Sequence, residues 1–298
     1  MPASPDDRAR GALLGTAIGD ALGMPIEGLS HPNVRTYYKG IKGFRADEKR
    51  GELDAGQWTA DTQNALALAT ALAEHPDDRT RAQAVWRQER LVDLRRPTER
   101  PVATSAAAAS AAPLGIWWHT TEADATEALA WARVLLGDVD PRADALVAAI
   151  AQADALRRAL GADPETLDGP AFVRATAEAA RTAETALDDA TDAVSTRLGA
   201  LADHLDEFPL DLQDRCNGTG PAADEAFPFA LAMAARGPSL AEASLLAAIN
   251  VGGDANTVGA MVGALLGAMN GASAFPDEWR KGVQDGERIT ALADRMRA

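Results

Sequence analysis

The sequence predicts an all-α fold, with residues 1–298 forming one helical domain. Three observations lead there. Alternating β-branched runs are scarce, while Ala, Leu, Glu and Arg recur at helical spacing. Pro and Gly interrupt that spacing at "HPNV" (31), "HPDD" (75), "RRPTERP" (95), "DVDPR" (138), "FPLD" (208) and "FPDEW" (275). Glycine also falls at every fourth position in two registers, one early and one late in the chain. No low-complexity linker or charge block divides the sequence.

The first element is a helix carrying Gly11, Gly15, Gly19 and Gly23. Asp20 lies inside that register, and Glu27 lies just past the helix end in "GMPIEG". The next long helix starts at "WTADTQ" and continues as "QNALALATALAEH". Thr59, Asp61 and Thr62 crowd its start, and Ala60 interrupts them without an oxygen. Between 142 and 206 the pattern is amphipathic, alanine-rich and acidic, as expected of helices covering a core. The last long helix follows "NVGGDANTVGA". Gly252 and Gly253 supply a flexible loop, then Asp254, Asn256 and Thr257 crowd a second helix start. This helix carries Gly259, Gly263, Gly267 and Gly271, with Ala260, Ala264, Ala268 and Ala272 in a row beside them. Residues 255–276 contain no charge, but their Gly, Ala and Asn content marks a buried core helix and not a membrane span.

Glycine inside a helix costs roughly 1 kcal/mol against alanine. Several in register need a compensating contact. Residues at i and i+4 share one face, so each stripe lets another backbone approach closely. Helices 11–23 and 257–271 are therefore expected at the centre, and packing against each other would satisfy both.

Composition limits the function. Lys and Arg number 29 against 44 Asp and Glu, a net charge of −15. A chain this acidic is poorly suited to neutralising nucleic-acid phosphates or adsorbing to anionic membranes, so neither partner is expected. The acidity reads as a solvated surface. Cys216 is the single cysteine, which excludes an internal disulfide and fits a cytoplasmic location. The start "MPASPDDRARG" lacks a signal-peptide pattern. His31, His75, His119 and His204 have no metal-ligand spacing, and Trp117 and Trp118 read as core.

The two crowded helix starts share a chemistry. Short oxygen side chains at alternating positions suit a hard cation such as Mg²⁺, Mn²⁺ or Ca²⁺. The same residues also serve as ordinary N-caps. Capping leaves Asp20 and Glu27, near the other glycine helix, without a role.

Several segments then resemble one family, in its order: "GALLGTAIGDALGMPIEG", "GFRADEKRGELDAGQWTADTQNALALATAL", "APLG" at 112, "NGTGPAADEAFPFALAMA" and "AINVGGDANTVGAMVGALLGAMNGASAFPDEW". The chain resembles the ADP-ribosylglycohydrolases, the group containing the dinitrogenase-reductase-activating glycohydrolase and the ADP-ribosylarginine hydrolases. The resemblance implies a compact, orthogonal all-α domain with a central metal and ligand cleft. It implies hydrolysis at the distal ribose of ADP-ribosyl groups, assisted by a binuclear Mg²⁺ or Mn²⁺ centre. The family's T-D-D stands here as Thr59, Ala60 and Asp61, and its D-x-D-[ST] as Asp254, Ala255, Asn256 and Thr257. By that resemblance the metal ligands are Thr59, Asp61, Asp254, Asn256 and Thr257. Glu27 and Asp61 are the implied catalytic carboxylates. Gly218, Thr219 and Gly220, with Asp20, are the implied ligand-binding residues.

Ala60 and Asn256 each remove an expected carboxylate. The family's threonine-histidine segment is not evident, and "LLGDVDPRADA" stands in its place. One ion, or none, is therefore expected in place of two. The implied partner is ADP-ribose or an ADP-ribosylated substrate. Two functions follow from these departures: a metal-assisted ADP-ribosyl hydrolase with an impaired or single-metal site, or an inactive ADP-ribose-binding or structural relative.

Overall fold

Ser4 begins the first helix. Its Oγ accepts from the Asp7 amide at 3.1 Å, and Pro5 occupies the first turn, where its missing N–H leaves nothing unpaired. The computed structural model describes residues 3–48, 51, 53–90 and 102–297, and the "RRPTERP" break lies outside them. Among the described residues there are sixteen α-helices and no strand.

The N-terminal third holds α1 (Pro5–Gly23), a short α2 (His31–Asn33), α3 (Ala60–Glu74), α4 (Arg79–Glu89) and α5 (Ala106–Ala109). The middle holds α6 (Ala112–Thr121), α7 (Ala125–Leu135), α8 (Ala143–Ala159), α9 (Gly169–Ala186), α10 (Ala193–Leu201) and α11 (Pro209–Arg215). The last third holds α12 (Ala223–Ala235), α13 (Ala241–Ile249), α14 (Ala255–Asn270), α15 (Asp277–Gly282) and α16 (Gly286–Arg295). The described proline breaks fall between these helices or in their first turns, where Pro fits.

The glycine registers meet. Gly11 faces Gly267, Gly15 faces Gly263, Gly19 faces Gly259, and Gly23 faces Ala255, so α1 and α14 run antiparallel. A Cβ placed on any of these four α1 glycines would lie under 3.0 Å from a carbonyl oxygen of α14. The compensating contact is therefore backbone on backbone. Gly271 borders this row, its carbonyl carbon 2.6 Å from a Cβ placed on Gly11. It ends α14 with φ +83°, a conformation that favours glycine.

α14 is buried from Ala255 to Met269, with α8, α12 and α13 also packed on it. It is a core helix, and no helix among the described residues is long and apolar enough to cross a membrane. Trp117 and Trp118 are core, as their sequence context suggests. Their indole N–H groups donate to Pro76 O and Ala123 O, each at 2.7 Å. His31 and His119 make structural contacts to the carbonyls of Asn250 and Arg157, and His204 pairs with Glu207. Cys216 is buried, and burial pushes its thiol up to about 12, so it stays protonated at neutral pH.

Candidate functional site

The central pair of helices delivers the site. Asp20 lies on α1 one residue past Gly19, so the glycine contact fixes its position against α14 and α3. It is fully buried. Its Oδ2 accepts from the Thr59 amide at 2.9 Å, the Thr62 amide at 3.1 Å and the Thr62 hydroxyl at 2.7 Å. Thr59 is the formal N-cap of α3, but its hydroxyl meets the Asp61 amide only at 3.5 Å. The effective cap of α3 comes from Asp20, across the fold.

The family resemblance implies a ligand-binding role for Asp20. The structure encloses it behind the start of α3, where it holds the "TADT" turn. Replacing Asp20 by alanine would strand two buried donors and one part-buried donor. The expected loss is about 3 kcal/mol or more, because each unsatisfied buried donor costs roughly 1–3 kcal/mol. Chemical denaturation checks it, and an unchanged unfolding midpoint would remove this role.

Asp61 points the other way, toward α14. Its Oδ2 accepts from the Thr257 hydroxyl at 2.8 Å and from Asn256 Nδ2 at 3.3 Å. Asn256 Nδ2 also donates to Thr59 Oγ1 at 3.3 Å. Thr59, Asp61, Asn256 and Thr257 are thus brought into one cluster, as the two motifs suggest. Asp254 joins at the N-cap of α14, where its carbonyl takes the Val258 amide and its side chain makes no capping bond. Glu27 is half-buried at the end of the Met24–Ile26 turn.

These acids feel one another. Burial pushes the Asp61 carboxyl well above its ordinary value, and the charges of Asp20, Asp254 and Glu27 push it further. The Thr257 hydroxyl opposes the shift. Burial also raises Asp20, to about 6, against the lowering effect of its Thr62 and Thr59 hydrogen bonds. Such a cluster of perturbed carboxylates in one place marks a functional-site candidate.

Among the described residues no three His, Cys, Asp or Glu side chains form a ligand set. The cluster instead mixes two carboxylates, two hydroxyls and an amide, all hard oxygen donors. Asn256 Oδ1 is buried without a hydrogen-bond partner, although its nitrogen is engaged. A cation taking that oxygen would satisfy it. Two carboxylates balance one dication, and a half-turn of the Asn256 amide would bring Oδ1 to the side where Nδ2 now meets Thr59 and Asp61.

Three loops are stitched together around this cluster. Gly28 N donates to Gly253 O and Gly253 N to Leu29 O, each at 2.8 Å, which ties the Glu27 turn to the Asp254 loop. Asp254 N donates to Thr219 O at 2.6 Å, and Thr219 Oγ1 donates to Gly252 O at 2.9 Å. Gly252 and Gly253 have φ of +90° and +77°, and a Cβ on either would strike Leu29 O or Thr219 O. Gly218, Thr219 and Gly220 therefore lie against the cluster. Two of the loop's amides are used inside the protein. Gly218 N donates to Gln213 O at 3.0 Å and Gly220 N to Glu225 Oε2 at 3.1 Å. These two amides are therefore not free to hold a phosphate.

Sequence reasoning missed Glu225, which holds Gly220, and Asn250, which clamps Ile41 through its backbone N and O. An acid in the first turn of α12 and the Asn just before "VGGD" were the available signals.

A family model for ADP-ribosylglycohydrolase matches residues 1–298. The chain belongs to the ADP-ribosylglycohydrolase family. An uncharacterised protein of Archaeoglobus fulgidus is 27% identical, over 98% of this chain and 96% of that one. A shorter match, 37% identical, links 30% of this chain to 31% of the ADP-ribosyl-[dinitrogen reductase] glycohydrolase of Rhodospirillum rubrum. Another, 48% identical, links 21% of it to 15% of the ADP-ribosylarginine hydrolase Tri1 of Pseudomonas putida. A solved structure described as an ADP-ribosylglycohydrolase-related protein complex aligns with a TM-score of 0.72 at 27% identity, covering 98% of each chain. The all-α architecture of this family member is thus shared along its length.

Proposed function

We propose that this family member hydrolyses the glycosidic bond of ADP-ribosyl groups. The supporting observation is the convergence of Thr59 and Asp61 from α3 with Asn256 and Thr257 from α14, beside Glu27, in one perturbed carboxylate cluster. Thr59, Asp61, Asp254, Asn256 and Thr257 would hold one Mg²⁺ or Mn²⁺. Such an ion supplies charge stabilisation and orients ribose hydroxyls. Asp61 would take a proton from the attacking water through the carboxylate oxygen that the ion leaves free. Glu27, half-buried on the facing turn, stabilises the positive charge that develops at the anomeric carbon. The Gly218–Gly220 loop braces Asp254 through Thr219.

Calorimetry with ADP-ribose, with and without Mg²⁺, tests the reading. Binding is expected, with tighter binding when Mg²⁺ is present. No heat under either condition would end it. A second reading, a relative that binds ADP-ribose without turnover, is favoured by Asn256, whose amide supplies Asp61 with a donor. Release of ADP-ribose from ADP-ribosylarginine separates the two.

The paired substitution Ala60→Asp, Asn256→Asp should make the metal dependence visible without any assay of turnover. Two added charges beside Asp61 should lower the melting temperature in EDTA. Mg²⁺ or Mn²⁺ should then restore it, by about 2.7 kcal/mol at a hundredfold excess over the dissociation constant. Equal melting with and without metal would remove the metal reading.

A further inference from the structure

We propose that the loop Arg35–Arg45 docks an acidic polypeptide segment flanking the ADP-ribosylated residue of a protein substrate; the assignment rests on the proposed function above. The segment "RTYYKGIKGFR" holds four cations and no acid in eleven residues of a chain with net charge −15. Arg35, Lys39, Lys42 and Arg45 are all exposed, and none forms an ion pair among the described residues. Elsewhere arginines are commonly paired, as Arg10 is with Asp294 and Arg215 with Glu207. The nearest following acids are Asp47, which is buried, and Glu48.

The loop has shape as well as charge. Tyr38, Lys39, Lys42, Phe44 and Arg45 line an open pocket of about 550 Å³. Tyr37 is 72% exposed beside it. Exposed Tyr and Arg are the side chains that dominate protein–protein contacts.

Three anchors hold this loop beside the cluster. The Tyr38 hydroxyl donates to Pro25 O at 3.1 Å, two residues before Glu27. Asn250, four residues before Asp254, takes the Ile41 amide at 2.6 Å and donates to Ile41 O at 3.0 Å. Phe44 lies against Gly56, three residues before Thr59. The anchors therefore tie a cationic segment to the elements that carry the acidic cluster. On this proposal the neighbours of a protein side chain held at the cluster lie along that segment. The overall charge of −15 disfavours a long polyanion. Screening over roughly 8 Å at physiological salt leaves the local patch free to hold a short acidic segment.

Fluorescence anisotropy with a labelled Glu-Gly repeat peptide, against the matching Gln-Gly peptide, tests this. The parent chain should prefer the Glu peptide, with affinity weakening about tenfold between about 50 and 250 mM NaCl. Lys39→Glu, Lys42→Glu, Arg45→Glu together should weaken it about tenfold or more, with ADP-ribose affinity by calorimetry unchanged. The milder pair Lys39→Gln, Lys42→Gln should fall between. Equal binding of the two peptides would overturn the proposal. So would tighter binding of a labelled single-stranded DNA of the same length, or loss of ADP-ribose affinity in the triple variant. Failure of the parent chain to bind ADP-ribose counts against the proposed function instead, and peptide preference without it keeps the surface.

Discussion

Gly263→Leu is expected to abolish the native fold at 37 °C. A Cβ at this position would meet the carbonyl oxygen of Gly15, and that oxygen belongs to helix backbone. A flexible side chain could swing aside, but a helix must move as a body. Overpacking a core costs about 1–3 kcal/mol where side chains can adjust, and more where they cannot. Even Gly263→Ala should cost about 3 kcal/mol, the upper end of that range. Gly199 in α10 is the control, because nothing lies within 4 Å of a Cβ there. Gly199→Ala should be neutral or stabilise by about 0.5–1 kcal/mol through helix propensity. Circular-dichroism melting reads all three. If Gly263→Ala melts with the parent chain, the backbone seam between α1 and α14 is wrong.

Asp61→Asn should separate activity from stability. The substitution keeps the shape and removes the charge. Loss of a proton acceptor costs typically about 10²–10⁴-fold in rate, and the release of ADP-ribose should fall by that order. Stability should move the other way. The folded-state pKa of Asp61 lies well above its unfolded value of 3.8. Between those two values the native state holds more protons than the unfolded chain, so stability falls as pH rises. Above the folded pKa the full cost of the buried charge is present. Asp61→Asn should therefore melt higher than the parent chain at pH 7.5 in EDTA. The gap should close as pH falls below the ordinary carboxylate range. A variant that melts lower at pH 7.5, or that hydrolyses at the parent rate, would remove Asp61 from the proton-accepting role.

The glycine seam was legible because its cause is local. Close backbone approach demands glycine at i and i+4, and no other arrangement accounts for two such rows. The oxygen-rich starts of α3 and α14 were legible for the same reason, as short polar side chains before apolar helices. Their partners were not. Asp20 caps α3 from 42 positions away, at Thr62. Asn250 clamps Ile41 across 209 positions. Nothing in either neighbourhood announces a contact that only the folded chain creates. Gly218 and Gly220 show the reverse case. A glycine-rich loop suggests free amides, yet neighbouring acceptors inside the fold had already claimed them.

The antiparallel meeting of α1 and α14 also sets an order on biosynthesis. A chain emerging from the ribosome exposes the bare face of α1 long before its complement has been made. An exposed ion pair, Arg297 with Asp6, then joins residues 291 positions apart. Closure of so long a loop must precede the contacts that reward it, which slows folding. The nascent molecule thus spends most of its synthesis with an unpaired glycine face, the interval in which a chaperone has most to protect. Loss of either α1 or α14 would remove half of the central pair at once, while an opening at a surface turn between other helices would leave that pair whole.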